Sequence, residues 1–165
     1  MKKNILVSFA GAGFIYAGSR LYRKYITATD IVPKFQLPRN WKYSKLSVSF
    51  DLPFTILNTH SESISLTGFG GKITYKGEDF TDFFLSDGIS IEPTSKNTYT
   101  AKCSLYLPDA LSVLKKLSKD INKALNFEVK GNYYVLGLPI PYDETVKITF
   151  PSQIISAIKT ILKIR

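Results

Sequence analysis

A single cysteine, Cys103, and a single histidine, His60, deny this chain of 165 residues the raw material for several kinds of site. One thiol cannot build an internal disulfide framework, and no pair or quartet of thiols exists to hold a structural zinc. Multi-histidine metal centres are excluded, and any Ser–His–Asp scheme would rest on one turn residue with no nucleophile motif beside it. No cofactor is expected. Acidic charge is also scarce: 13 Asp and Glu against 22 Lys and Arg leave +9, most of it at the two ends. Residues 1–45 hold nine basic residues against one acidic, residues 46–150 ten against twelve, and residues 151–165 three basic. The middle is therefore a nearly neutral body, which disfavours a nucleic-acid-reading face on it. The basic ends, beside apolar residues, suit anionic head groups, phosphates or acidic surfaces of a larger assembly.

A full-length apolar span is missing too. Residues 4–19 are 16 uncharged residues, short of the ~20 that cross a bilayer, although Leu21 and Tyr22 lengthen the run if the arginines snorkel. A cleaved secretory signal would share the Met1-Lys2-Lys3 start, and Ala17-Gly18-Ser19 is a passable cleavage site. The cluster Arg20, Arg23 and Lys24 just beyond resembles the basic flank of an anchor, and Tyr16, Tyr22 and Tyr25 beside it complete an interfacial belt. Residues 1–25 are therefore expected to stay as a helix that attaches the protein to a membrane or to neighbouring subunits through Ile5, Leu6, Phe9, Gly13, Phe14 and Ala17. Gly13 and Ala17, four apart, would let a second helix approach closely. The GAGFIYAG string after ILVSF imitates a dinucleotide fingerprint, but its third small position falls on Tyr16 and no βαβ unit follows.

What is plentiful is core material: 44% hydrophobic residues, 13% of the chain aromatic, at a length that is one domain by the usual prior. After a proline-bearing connector over 26–45, Leu46, Val48, Phe50, Leu52, Phe54 and Ile56 alternate with polar residues, which predicts a long half-buried strand. Pro53 cannot donate to a ladder and is expected at an edge or bulge. Shorter strands are expected around residues 64–69, 72–76 and 89–92, divided by turns at GFGG (68–71), KGED (76–79) and SDG (86–88). Residues 98–107 alternate again and point Cys103 inward, as an inert core thiol. Leu111, Leu114, Leu117, Ile121 and Leu125 recur at helical spacing and predict a helix over 109–126. Strands resume at 127–137 and 144–150, across an LPIPY segment whose prolines are expected to leave it unpaired. The total is seven or eight strands and one inserted helix. Residues 151–165 form a basic amphipathic helix with Ile154, Ile158, Ile161 and Leu162 on one stripe, available to a membrane surface or partner groove, or docked on its own sandwich. The acidic residues Glu78, Asp79, Asp82 and Asp87 lack the ligand spacing of a calcium loop and are expected to be a solvated face. The aromatics fall mostly on core parity, which does not make a base-stacking platform.

The stretch 46–150 resembles the late-embryogenesis-abundant type 2 family (the LEA14, or water-stress-and-hypersensitive-response, domain). Three features carry the resemblance: the opening strand ending at Asn58 followed by ISLTGFGGKITYKGEDF (64–80), the helix placed before the final strands, and FEVKGNYYVLGLPIPY (127–142). Asn58-Thr59-His60 stands where that family commonly has Asn-Pro-Asn. The resemblance implies an immunoglobulin- or fibronectin-like antiparallel β-sandwich without catalytic residues, often tethered to a membrane. The expected protein is thus a non-enzymatic attachment or assembly module, associated with a membrane or a virion. A phage structural subunit and an apolar-ligand (lipid) carrier with a cavity between its sheets are the two rivals.

Overall fold

The computed structural model describes residues 19, 21–25, 28–85 and 87–163. Its strands are β1 (Lys34–Phe35), β2 (Arg39–Tyr43), β3 (Ser47–Asn58), β4 (Ile64–Leu66), β5 (Gly68–Tyr75), β6 (Glu78–Leu85), β7 (Ile89–Ile91), β8 (Ser95–Tyr106), β9 (Leu125–Val135) and β10 (Leu138–Ile148). The helices are α1 (Leu111–Leu117) and α2 (Ser152–Lys163), and residues 21–25 are also helical. Two four-stranded antiparallel sheets form a β-sandwich, with β4 and β7 as a small separate ribbon.

The first sheet is built on β3. Strict alternation puts Val48, Phe50, Leu52, Phe54 and Ile56 on its inner face, all buried. β8 runs antiparallel along its whole length, from Ser47↔Tyr106 to Asn58↔Ser95, and sets Ala101, Cys103 and Leu105 on the same face. The other edge of β3 is shared by β2, opposite residues 48–51, and β1, opposite 54–55. Pro53 faces the gap between these two strands, where its carbonyl accepts from the Gln36 N–H at 2.8 Å. A residue's N–H and C=O point to the same edge of a strand, so the missing donor falls where no ladder bond is needed. The segment expected to be a connector thus contributes two strands of the sheet.

The second sheet has the order β10-β9-β5-β6. Its two outer pairs are tight hairpins through Lys76-Gly77 and Leu136-Gly137, whose positive φ values of 50°, 79°, 54° and 78° match a type I′ turn. Several expectations are corrected here. GFGG is not a turn; Gly68 to Gly71 open β5. The reason is close approach: Gly71 pairs with Gly131 of β9, and a Cβ built on Gly131 would lie 2.1 Å from the Gly70 carbonyl oxygen. The space beside these glycines is taken by Tyr142, whose hydroxyl donates to the Gly70 carbonyl at 3.0 Å. LPIPY is likewise paired, with Pro139 opposite Tyr134 and Pro141 opposite Asn132. β10 is the outer strand of this sheet, so two prolines two residues apart turn their missing donors to its free edge. The helix expected over 109–126 is only Leu111–Leu117. Turns at Asp120 and Lys123 follow it, and Leu125 and Asn126 already belong to β9. β6 was not foreseen as a strand.

Between the sheets the core is largely aromatic. Phe54 of the first sheet stacks on Phe69 of the second at 4.3 Å, and Phe69 lies parallel to Tyr142 at 5.2 Å. At the other end Trp41 stacks on Phe50 at 4.5 Å, with Phe80, Phe127 and Phe150 beyond. These rings occupy the space that a lipid cavity between the sheets would need. α2 packs against α1, and its Ile154, Ala157 and Ile158 are buried in the same core, with Ile161 and Leu162 half-buried against it. The apolar stripe of the C-terminal helix therefore packs on the sandwich itself, fully at Ile154 and Ile158 and partly at Ile161 and Leu162.

Two outcomes follow. Gly131→Ala forces two strand backbones apart and should lower stability by about 3 kcal/mol or prevent folding, as read from the denaturant midpoint. Burial pushes the Cys103 thiol up to about 12, so a thiol reagent at neutral pH should label it slowly in native protein and rapidly in denaturant.

Candidate functional site

The place where the N-terminal segment meets the sandwich is the most specifically built polar region of the fold. Ala28 is fully buried and Ile31 nearly so, which fixes residues 28–31 ahead of β1. Tyr133, on the inner face of β9, is also buried, and its hydroxyl lies 2.6 Å from the Ala28 carbonyl oxygen and 2.9 Å from that of Ile31. One phenolic proton is donated to this pair of carbonyls, which no strand ladder satisfies. Burial, with Asp30 nearby, raises this phenol to about 12, so it stays a donor at any ordinary pH.

A second clamp lies beside it. Asn58 is wholly buried; its amide donates to the carbonyls of Glu62 at 2.8 Å and Glu92 at 3.0 Å, and its side-chain oxygen accepts from the His60 N–H at 3.0 Å. That closes the turn after β3 onto the end of β7. His60 then reaches back toward the N-terminal segment, with Nε2 3.6 Å from a carboxylate oxygen of Asp30. The separation is too long for a hydrogen bond and leaves Nε2 without a partner among the described residues. Next to this junction an open groove of about 410 Å³ runs along the outer surface of the first sheet. Asp30 and Val32 stand at one end, Thr55 and Leu57 on its floor, and Lys34 and Lys96 on its rim. The floor is satisfied internally, Gln36 donating to the Thr55 hydroxyl at 2.7 Å and Thr98 sharing it at 3.1 Å.

Of the residues expected to make the attachment, Ile5, Leu6, Phe9, Gly13, Phe14, Ala17 and Arg20 lie outside the described residues. Arg23 is exposed, Lys24 half-buried, Tyr22 exposed, and Tyr25 packs against the core. No helix among the described residues is long and apolar enough to cross a membrane. Two of the four acidic residues are partnered, Glu78 accepting from Lys116 and Ser112 and Asp79 pairing with Lys72, while Asp82 and Asp87 are exposed. The Lys116 ammonium and Ser112 hydroxyl hold the Glu78 carboxyl below its usual value. No group of three metal-ligating side chains is found among the described residues. Sequence reasoning missed the role of Tyr133, because a tyrosine on core parity is indistinguishable from packing until its hydroxyl's partners are seen.

No protein-family model matches the chain, and neither does any curated protein. Solved structures do. The solution structure of AT1g01470 from Arabidopsis thaliana is 13% identical, with a TM-score of 0.53, covering 73% of this chain and 81% of that one. The crystal structure of a protein from Archaeoglobus fulgidus gives 10% identity and a TM-score of 0.48 over 74% of this chain and 96% of that one. A solution structure that carries the late embryogenesis abundant (LEA) designation, At2g46140.1, gives 12% and 0.37 over 87% and 85%. At these identities the likeness to the AT1g01470 structure is one of fold alone.

Tyr133→Phe removes the shared donor, leaving the Ile31 carbonyl unsatisfied and the Ala28 carbonyl with only the Ile31 N–H at 3.1 Å. It should cost about 1–3 kcal/mol and speed amide hydrogen exchange at residues 28–32 well before the sheets open. Unchanged exchange there would show that the segment is held by packing alone.

Proposed function

We propose that the protein is a non-enzymatic β-sandwich displayed from a membrane by its N-terminal segment. The observation that carries this reading is the lock at the junction. Ala28 and Ile31 are buried, and the Tyr133 hydroxyl bonds the two carbonyls, so the segment that follows the apolar run is part of the folded body rather than a loose leader. A tether that transmits position needs such a stiff junction, because a flexible linker would let the module wander. The apolar run of residues 4–19 with basic residues on both sides supplies the membrane-seeking end. The sandwich uses its own C-terminal stripe internally, so attachment rests on the N-terminal end.

Full-length protein should float with lipid vesicles and stay bound in high salt. Phe9→Asp with Phe14→Asp should release it while leaving the β-rich circular dichroism spectrum unchanged. Wild-type protein that stays in the aqueous fraction without detergent would contradict the tether.

A further inference from the structure

Counted along the chain, the body carries almost no net charge. The two strands contributed by residues 26–45 change that balance, because they bring Lys34, Arg39 and Lys42 beside Lys96 and Lys102 on one outer surface. In the first sheet the outward positions of β3 are Ser47, Ser49, Asp51, Pro53, Thr55 and Leu57, the set opposite in parity to its buried residues. Residues paired with outward positions face outward themselves. Lys34 pairs with Thr55, Arg39 with Asp51, Lys42 with Ser49, Lys96 with Leu57 and Lys102 with Asp51. The strands of this face therefore hold five cations, all exposed, against one carboxylate, with Asp30 at the end of the groove beside Lys34 and Lys96. None of the five makes a salt bridge to a described residue. The lone carboxylate, Asp51, accepts instead from the Asn40 amide at 2.7 Å.

The outer face of the second sheet is the reverse. The same reading of register puts Lys72, Lys130 and Lys147 there with Asp79, Asp82, Glu128 and Asp143. Lys72 pairs with Asp79, and Lys130 with Glu128 at 2.9 Å and Asp143 at 3.4 Å. One surface is self-neutralised. The other is a sheet about 40 Å long whose five cations form no ion pair with a described residue.

We infer that the outer face of the first sheet, from Lys34 and Lys96 to Lys42 and Lys102, is a docking surface for the anionic head groups of a lipid bilayer. Charge complementarity selects an anionic partner, and three features favour a bilayer over a nucleic acid. The N-terminal segment runs through Ile31 directly into β1 at this face's edge, so a membrane holding that segment lies at hand. Val32 and Leu57, 46% and 53% exposed, stand among the cations at that end and give the face the apolar contacts that an interfacial surface uses. The cations are distributed over a broad sheet rather than lined up along one groove, which suits a plane of charge. The inference rests on the tether and adds to it: the sandwich lies down on its basic face instead of standing away from the membrane.

The test uses full-length protein and phosphatidylcholine vesicles, with and without about one-third phosphatidylserine. Lys96→Glu/Lys102→Glu reverses two charges on the basic face. Lys72→Glu/Lys147→Glu makes the same change of net charge on the opposite face. Each lysine near an anionic surface contributes about fivefold to binding, so the first variant should lose about tenfold or more of the preference for phosphatidylserine vesicles. It should still bind neutral vesicles as wild type does, and the second variant should keep most of the preference. Equal losses in both variants, or none in the first, would overturn the docking face while leaving the tether standing. Wild-type protein that ignores both vesicles would remove the tether and this inference together. Tight binding to a short DNA duplex, abolished by Lys96→Glu/Lys102→Glu with vesicle binding intact, would overturn it in favour of nucleic acid.

Discussion

One line of stacked rings holds this molecule together. Phe54, Phe69 and Tyr142 pass from the first sheet into the second, and Tyr133 lies alongside Tyr142 with ring centroids 6.4 Å apart. Each ring contributes a large buried area, and offset stacking adds to it. The two tyrosines also finish the polar bookkeeping at either side of the stack. Tyr142 fills the gap left by Gly71 and Gly131 and bonds the Gly70 carbonyl; Tyr133 bonds the carbonyls of Ala28 and Ile31. Sheet-to-sheet packing, close approach of β5 to β9 and the set of the N-terminal segment therefore share one cluster.

That sharing explains why the chain's ends behave differently. The C-terminal helix closes the core with Ile154 and Ile158 and has little apolar surface left to offer. In the N-terminal segment Tyr25 is half-buried against the core and Ala28 and Ile31 are buried, whereas Leu21 and Tyr22 are exposed. A domain that seals one end internally and fixes the other by a buried phenol is suited to hold its body at a set orientation to whatever the other end is attached to.

Much of the architecture was readable in the residues. β3 and β8 alternate so strictly that their inner faces, Cys103 included, follow from parity alone, and the sandwich class follows with them. The failures have local causes. β6, with the sequence EDFTDFFL, carries adjacent Phe83 and Phe84 and pairs through a register shift, so its alternation is broken. GFGG and LPIPY are rich in residues that usually interrupt strands. Here glycine is needed because two backbones nearly touch, and proline is tolerated because β10 has a free edge. The predicted helix ran on to Asn126 because Ile121 and Leu125 kept its period, although both are buried through other structure. The basic face was hidden for a different reason: three of its five cations lie in residues 26–45, read as a connector, and only the pairing of β1 and β2 with β3 brings them beside Lys96 and Lys102.

The central claim is an orientation, with the basic outer face of the first sheet against a membrane and the self-paired face of the second away from it. Nitroxide labels report it directly when placed in full-length Cys103→Ala protein at Thr98 on the first face, or at Glu128 on the second, and bound to phosphatidylserine-containing vesicles. A label at Thr98 should be shielded from a water-soluble paramagnetic relaxant and one at Glu128 should remain open to it. Equal accessibility, or shielding at Glu128 alone, would contradict the account.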